Sequence, residues 1–462
     1  MDGLECSEVL CSKLEDGYRV DSELYQKKYV NLNKFAESHK HTFFAEESNT
    51  VKKGIFSISA SCYSDIGVPF VRISNLKDMF ISAEDLVRIP DAENSKYSDT
   101  ELHEGDIILS KTGSPAASYV DIPKCNVSQD TVAIRLKHNS NIRSEFVVVY
   151  LNTKYGIAQM QKRFTGNIQM HLNLDDCKNK LIIPLFTNSL QNAIATTFLY
   201  ALQLRRDSIF AYETAETKLR SVFKDESSKK VSQSRIMTLK ESFGISGRLD
   251  SEYYQEKYRA YETAIISAPQ GYTYIKDVFL PVKEKCQRNL SAYNYVEIGD
   301  IDIGAGCASF NTVNTNELPD NAKIMTMCGD ILISTVRPNR GAVAILENDD
   351  LLVSGAFTVL REAGDYPKEV LQVLLRTSMY RDWLLRFNVG TSYPVIKDED
   401  VLNMPIPILE DDVKQDVVTK VTESAYLRRQ SKQLLEYAKQ IVEMAIEQGE
   451  DAALAWLKDK VE

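Results

Sequence analysis

Apolar positions along this chain follow two periods, and the change from one to the other happens twice. Short β-branched runs bounded by Gly, Pro and Asn occur over residues 68–73, 106–110 and 131–135. Their composition and punctuation predict strands. Longer-period apolar spacing predicts helical stretches at about 144–163 and 367–387. Each is followed by a short strand-like segment, Ile-Ile-Pro-Leu at 182–185 and Pro-Ile-Pro-Ile at 405–408. Beyond these segments the pattern becomes that of long helices. Leu190, Ile194, Phe198, Leu202, Ile209, Tyr212, Leu219 and Phe223 advance by threes, fours and sevens. So do Val413, Val417, Val421, Leu427, Leu434, Ala438, Ile441 and Ala445. This spacing is the seam of a coiled coil. At about 1.5 Å per residue each helix reaches on the order of 50 Å, too long to bury its stripe on one small domain. The two are therefore expected to pack on each other, antiparallel, with the globular parts at opposite ends. The polar stretch 225–235 lets the chain return.

The pattern is duplicated. Arg19 to Tyr29 reads Arg-Val-Asp-Ser-Glu-Leu-Tyr-Gln-Lys-Lys-Tyr, and Arg248 to Tyr258 reads Arg-Leu-Asp-Ser-Glu-Tyr-Tyr-Gln-Glu-Lys-Tyr. Gly-Asp-Ile-Ile-Leu-Ser from Gly105 recurs as Gly-Asp-Ile-Leu-Ile-Ser from Gly329. The Ile-Pro segments keep the same order at nearly the same offset. Three ordered matches indicate two homologous halves. The expected fold class is α+β, with two pseudo-symmetric domains, each followed by a long helix, and the two helices forming an antiparallel coiled coil. The boundaries are 1–187 for the first domain, 188–235 for its helix and linker, 236–410 for the second domain and 411–462 for the second helix.

Composition adds limits. The 462 residues exceed one ordinary core. No apolar run is long enough for a membrane span. The acidic start, Met1 to Glu5, has no signal-like apolar region, so a cytoplasmic location is expected. Eight cysteines lie scattered without a Cys-x-x-Cys pair, and there are five histidines, so no metal site is expected. The net charge of −10 is unfavourable for a phosphate-binding surface. Charge is local, however. Residues 105–171 carry eight Lys/Arg against four Asp/Glu, while 410–462 carry eight against twelve. The matching segment 329–393 carries seven against eight, so the argument holds for the first half alone.

Catalytic signatures are missing: no phosphate-binding loop, nucleophile elbow, zinc-protease helix or amino-methyltransferase tetrapeptide occurs. Gly304 and Gly306 form a lone Gly-x-Gly that turn geometry explains. A non-enzymatic binding protein is expected. Two loops recur as candidates for contact with DNA. The first follows the Gly-Asp-Ile strand and contains Lys111, Thr112 and Ser114, or Arg337, Asn339 and Arg340. The second precedes the Ile-Pro segment and contains Lys162, Arg163, Asn167 and Gln169, or Arg386, Asn388, Thr391, Ser392 and Tyr393. Small residues admit a close partner, and the polar side chains supply donors for phosphates and base edges. The same cations could instead cap helix ends. The repeated Asp21, Tyr25, Tyr29 and Asp250, Tyr254, Tyr258 sets read as packing.

This order of motifs, occurring twice and each time followed by a heptad helix, resembles the specificity subunit of type I restriction-modification systems. The resemblance spans nearly the whole chain. It implies two target-recognition domains reading a bipartite double-stranded DNA sequence, with no catalytic site on this chain. It further implies modification (methyltransferase) subunits as partners, and restriction (endonuclease) subunits where cleavage occurs. No cofactor is expected here; S-adenosylmethionine belongs to the adenine-methylating partner. The sequence leaves open a specificity subunit of a type IIB-like methyltransferase-nuclease, or an acidic protein that mimics DNA or scaffolds others.

Overall fold

The structure, a computed structural model, describes residues 7–14, 20, 22–165, 170–223, 236–390 and 393–461. The chain divides into two compact units, Met1–Arg205 with Arg428–Glu462, and Arg206–Leu427. Both division points fall inside long helices, Asn188–Arg220 and Asp411–Gln448. The expected return linker, 225–235, lies outside the described residues.

The first unit holds β1 (Ser48–Lys53), β2 (Val68–Val71), β3 (Val87–Ile89), β4 (Leu102–His103), β5 (Ile107–Ser110), β6 (Ala117–Tyr119), β7 (Lys124–Val127) and β8 (Thr131–Leu136). They form two four-stranded sheets, ordered β1-β8-β5-β6 and β3-β2-β7-β4. All pairs are antiparallel except β2 with β7. Helices α1 (Lys27–Glu37), α2 (Ser144–Leu151) and α3 (Lys154–Arg163) belong to the same unit.

The second unit repeats this plan. Its strands are β9 (Phe279–Pro281), β10 (Ala292–Val296), β11 (Asn311–Asn314), β12 (Ala322–Thr326), β13 (Ile331–Ser334), β14 (Val343–Ile345), β15 (Leu351–Ser354) and β16 (Phe357–Glu362). The sheets are ordered β9-β16-β13-β14 and β11-β10-β15-β12, and again one pair, β10 with β15, is parallel. Helices α4 (Glu256–Ile266), α5 (Lys368–Arg376) and α6 (Ser378–Leu384) complete it. Even the register repeats. Ser110 faces Thr131 and Ile107 faces Ile134, as Ser334 faces Phe357 and Ile331 faces Leu360. The two homologous α+β halves expected from the sequence are thus present.

The Gly-Asp-Ile motif has a physical basis in both units. Gly105 and Gly329 take φ of +99° and +90°, a backbone that side chains resist. The aspartate after each accepts a backbone N–H three residues upstream, from His103 and Met327, both at 2.9 Å. It also pairs with an arginine on the neighbouring strand. Arg135 reaches Asp106 at 2.9 Å, and two Arg361 nitrogens, Nε and Nη2, each reach Asp330 at 2.7 Å. Every position of β5 and of β13 is buried. Ile107 and Leu109 join the core against the helices while Ile108 joins the core between the sheets. Ile331, Ile333 and Leu332 divide in the same way. A strand covered on both faces reads as a continuous apolar run, not as an alternation.

Each single predicted helix, at 144–163 and at 367–387, is two helices. Thr153 and Thr377 cap the second of each pair, accepting from Gly156 N and Tyr380 N. Their hydroxyls also bond the carbonyls that end the first, Tyr150 at 2.6 Å and Leu374 at 2.7 Å.

In each unit a stretch of one long helix packs antiparallel on a stretch of the other. In the first unit, Ile194, Phe198 and Ala201 share a core with Leu435, Ala438, Ile441 and Val442. Ser431 Oγ donates to the Ala201 carbonyl at 2.7 Å. In the second unit, Tyr212, Ala215 and Leu219 share a core with Val413, Val417 and Val421. Ser208 Oγ donates to the Ser424 carbonyl at 2.8 Å, and Lys218 pairs with Asp416 at 2.9 Å. The seam differs in detail from the expected one. Ile209 is exposed and Leu427 half-buried, and the buried positions near them are Ser208, Ser424 and Ser431. Hydroxyls bonded to the facing backbone require close helix approach, which small residues permit. The second helix ends at Gln448, where Gly449 (φ +94°) breaks it from Glu450–Val461. No described helix is long and apolar enough to cross a membrane.

Candidate nucleic-acid interface

In each unit the two candidate loops lie against each other. A bridge joins Thr112 to His171 in the first unit and Val336 to Val395 in the second. Leu172 N donates to the Lys111 carbonyl at 2.8 Å, and Ile396 N donates to the Thr335 carbonyl at 2.9 Å. On the other side, Lys111 N donates to the Asp130 carbonyl at 2.8 Å, and Thr335 N to that of Ala356 at 2.9 Å. Three segments of chain therefore meet at the tip of β5, and three at the tip of β13, through the same backbone bonds. The frame is common to the two units and the side chains on it are not.

The second unit presents the richer set. Arg337 is exposed in a left-handed conformation (φ +51°), held by its N–H bond to the Pro394 carbonyl at 2.7 Å. Its guanidinium lies 5.5 Å from the ring centroid of the exposed Tyr393. Asn339 and Arg340 are exposed on the turn that follows. Arg386 and Asn388 serve other ends. Arg386 stacks on Tyr253 at 4.6 Å and pairs with Glu262 at 3.6 Å. The Asn388 side chain accepts from Gly390 N at 2.8 Å and Val395 N at 3.0 Å, fixing its own loop. Thr391 and Ser392 lie outside the described residues.

In the first unit Ser114 is exposed, and Lys111 and Thr112 are half-buried. Burial, then the neighbouring Lys53 charge, hold the Lys111 ammonium below its ordinary value, with Asp130 opposing. Lys162 and Arg163 end α3 and are buried, 7% and 9% exposed, unlike the exposed Arg337 and Arg340. Asn167 and Gln169 lie outside the described residues.

The repeated segment at Arg248 to Tyr258 supports this interface. Arg248 donates to the carbonyls of Phe387 at 3.5 Å and Asn388 at 2.9 Å while paired with Asp250 at 2.7 Å. That pair holds the Asp250 carboxyl below its ordinary value. Tyr254 OH donates to the Arg248 carbonyl at 3.1 Å, and Tyr258 is buried. The repeated Asp-Ser-x-x-Tyr segment is therefore, in this unit, a brace for the loop; Asp21 of the first copy lies outside the described residues. Gly304 and Gly306 sit on α5, where Arg376 donates to the Gly304 carbonyl at 2.9 Å and Gln372 to that of Gly306 at 2.5 Å. Among the described residues no cluster of His, Cys, Asp or Glu is arranged to hold a metal ion.

No family model matches the sequence, and no curated protein does. Solved structures do. The type I restriction-modification system S subunit from M. genitalium is similar at 13% identity and a TM-score of 0.40, over 88% of this chain and 94% of that one. The HsdS subunit from Thermoanaerobacter tengcongensis is similar at 14% identity and a TM-score of 0.28, over 89% and 97%. A third similar structure, described by the complex assembly and conformational transition of the type I R-M system, shows 15% identity and a TM-score of 0.26 over 87% and 97%.

Proposed function

We propose that this chain is the DNA specificity subunit of a type I restriction-modification complex. Each unit reads one half of a bipartite duplex target, and the chain directs partner adenine methyltransferase and endonuclease subunits to it. The observation that carries the reading is the repeated three-way junction at the tips of β5 and β13. An invariant backbone frame bearing different exposed side chains suits two readers of the same kind with different targets. Phosphate contacts fix register and base contacts carry sequence, and loops of donors on a rigid sheet edge serve both. Arg337 adds support, because an arginine held at positive φ beside an exposed ring is strain of a kind that clusters at binding sites. Its planar fork fits guanine O6 and N7. The methyltransferase would bring S-adenosylmethionine; this chain supplies recognition.

Binding of the full chain, in complex with its methyltransferase partner, to duplexes carrying intact or scrambled half-sites tests the proposal. Binding should fall steeply with salt. Arg337→Ala or Arg340→Ala should cost about 1–3 kcal/mol at one half-site and leave the other unchanged. Equal loss at both half-sites would refute reading by separate units. Binding indifferent to sequence would refute the function and favour a scaffold or DNA mimic.

A further inference from the structure

We infer that Phe56 is a base-contacting residue of the first unit, its ring seated on the methyl group of a thymine in the half-site that unit reads. The inference rests on the DNA-reading function proposed above and adds to it a third loop that the two recurring motifs do not include.

Phe56 is 76% exposed, and its position is set by rigid backbone. Just before it, Gly54 N donates to the Thr131 carbonyl at 3.0 Å. A side chain at Gly54 would place Cβ 2.1 Å from the Ser128 carbonyl oxygen, so only glycine passes there. Ile55 is buried and its N–H bonds the Val127 carbonyl at 2.9 Å. The same turn, 128–131, accepts the Lys111 N–H at Asp130. One turn thus fixes both the Phe56 loop and the tip of the candidate interface. The exposed Lys53 places its ammonium 5.4 Å from the Phe56 ring centroid, and its charge is felt at Lys111. Asp130 is the acidic group facing Lys111.

The second unit has no counterpart on this path. There Val282 N bonds the Val359 carbonyl and Cys286 N bonds that of Lys323, leading the chain onto β12. Its exposed ring beside a cation is Tyr393 with Arg337, supplied by a different loop. Among the described residues each unit therefore offers an exposed ring next to a cation, Phe56 with Lys53 and Tyr393 with Arg337, built from different sequence.

A phenyl ring carries no donor or acceptor, so it cannot read hydrogen-bond patterns. In an intact duplex the apolar feature it can select is the thymine 5-methyl group in the major groove. Driving the ring between base pairs would cost a few kcal/mol of unstacking and would not depend on that methyl. The flanking lysines suit the adjacent phosphates.

The test uses the full chain with its methyltransferase partner, and duplexes in which each thymine of the first unit's half-site is replaced in turn by uracil, which lacks the methyl. Phe56→Ala should melt as the wild type does, bind that half-site about tenfold more weakly, and keep its preference at the other. One uracil duplex should weaken the wild type by a similar factor and weaken Phe56→Ala no further. Wild-type affinity in Phe56→Ala overturns the inference. So does a weakened variant for which no uracil duplex reproduces the loss, which would point to a wedge. Failure of the underlying function looks different: the wild-type complex would prefer neither half-site over scrambled DNA, and both proposals would fall.

Discussion

Asp330 is a carboxylate with 1% of its surface exposed, tolerated because both of its oxygens are hydrogen-bonded. Two Arg361 nitrogens and one backbone N–H converge on its oxygens. Asp330→Ala would leave the guanidinium and the Met327 N–H without that partner. The expected cost is about 2–3 kcal/mol, below that of a fully buried pair because Arg361 reaches solvent. It should appear in calorimetry as a lowered transition for the second unit. Asp106 performs the same task on Arg135, yet neither aspartate touches the candidate interface. The residues that face outward, Arg337, Asn339 and Arg340, carry no structural bond of comparable number. This separation explains why the motif legible in the sequence marks the frame and the readable chemistry sits just beyond it.

Individual elements are tied together by similar local devices. Glu47, which ends the short helix before β1, holds the chain that follows β8. It accepts from Ser140 Oγ and Asn141 N, each at 2.8 Å, and from Asn141 Nδ2 at 3.1 Å. Burial alone would push its pKa up, but those bonds together with Thr42 outweigh it and hold the carboxyl below its ordinary 4.5. A depressed carboxyl stabilises the fold fully above pH about 4.5 and loses that contribution as pH falls through the folded value. Glu47→Gln should therefore be less stable than wild type by about 1–2 kcal/mol at pH 7, with the gap closing below pH 4.5. Denaturant titrations at both pH values would show it, and a pH-independent gap would assign the loss to packing. The paired helices α2–α3 and α5–α6 teach a related lesson. Apolar periodicity ran unbroken through each pair, because the caps that divide them are single threonines.

At the largest scale, each long helix contributes one stretch to the first unit and one to the second. If the helix pair sets the gap between half-sites, its length is a variable that can be changed without touching either reading surface. Matched seven-residue insertions after Arg205 and after Leu427 add one heptad to each helix, about 10 Å. The preferred gap should lengthen by about three base pairs, at roughly 3.4 Å per pair, with both half-site sequences unchanged. Selection from a library of duplexes with varied spacing would measure it, and an unchanged gap would remove the helices as the ruler. The buried serines make heptad-sized insertion the safer choice, since Ser208, Ser424 and Ser431 bond the facing helix only in register.

Period and repetition were enough to establish two alike α+β halves and two long helices, because those features arise from local residue order. The seam is legible in outline, but apolar spacing points to Ile209 and Leu427 where serines lie buried, since apolarity alone cannot reveal how closely two backbones approach. Loop chemistry was legible as composition only. Folding alone decided that Lys162 and Arg163 are buried, that Asn388 bonds its own loop, and that Arg248 braces a segment some 140 residues away. It also decided that Lys53, beside the Phe56 ring, lies close enough to Lys111 for its charge to be felt there. Contacts such as Arg248 with Asn388 and Lys53 with Lys111 join segments distant in sequence, so no window along the chain contains both partners, and their energies exist only once the sheets have paired.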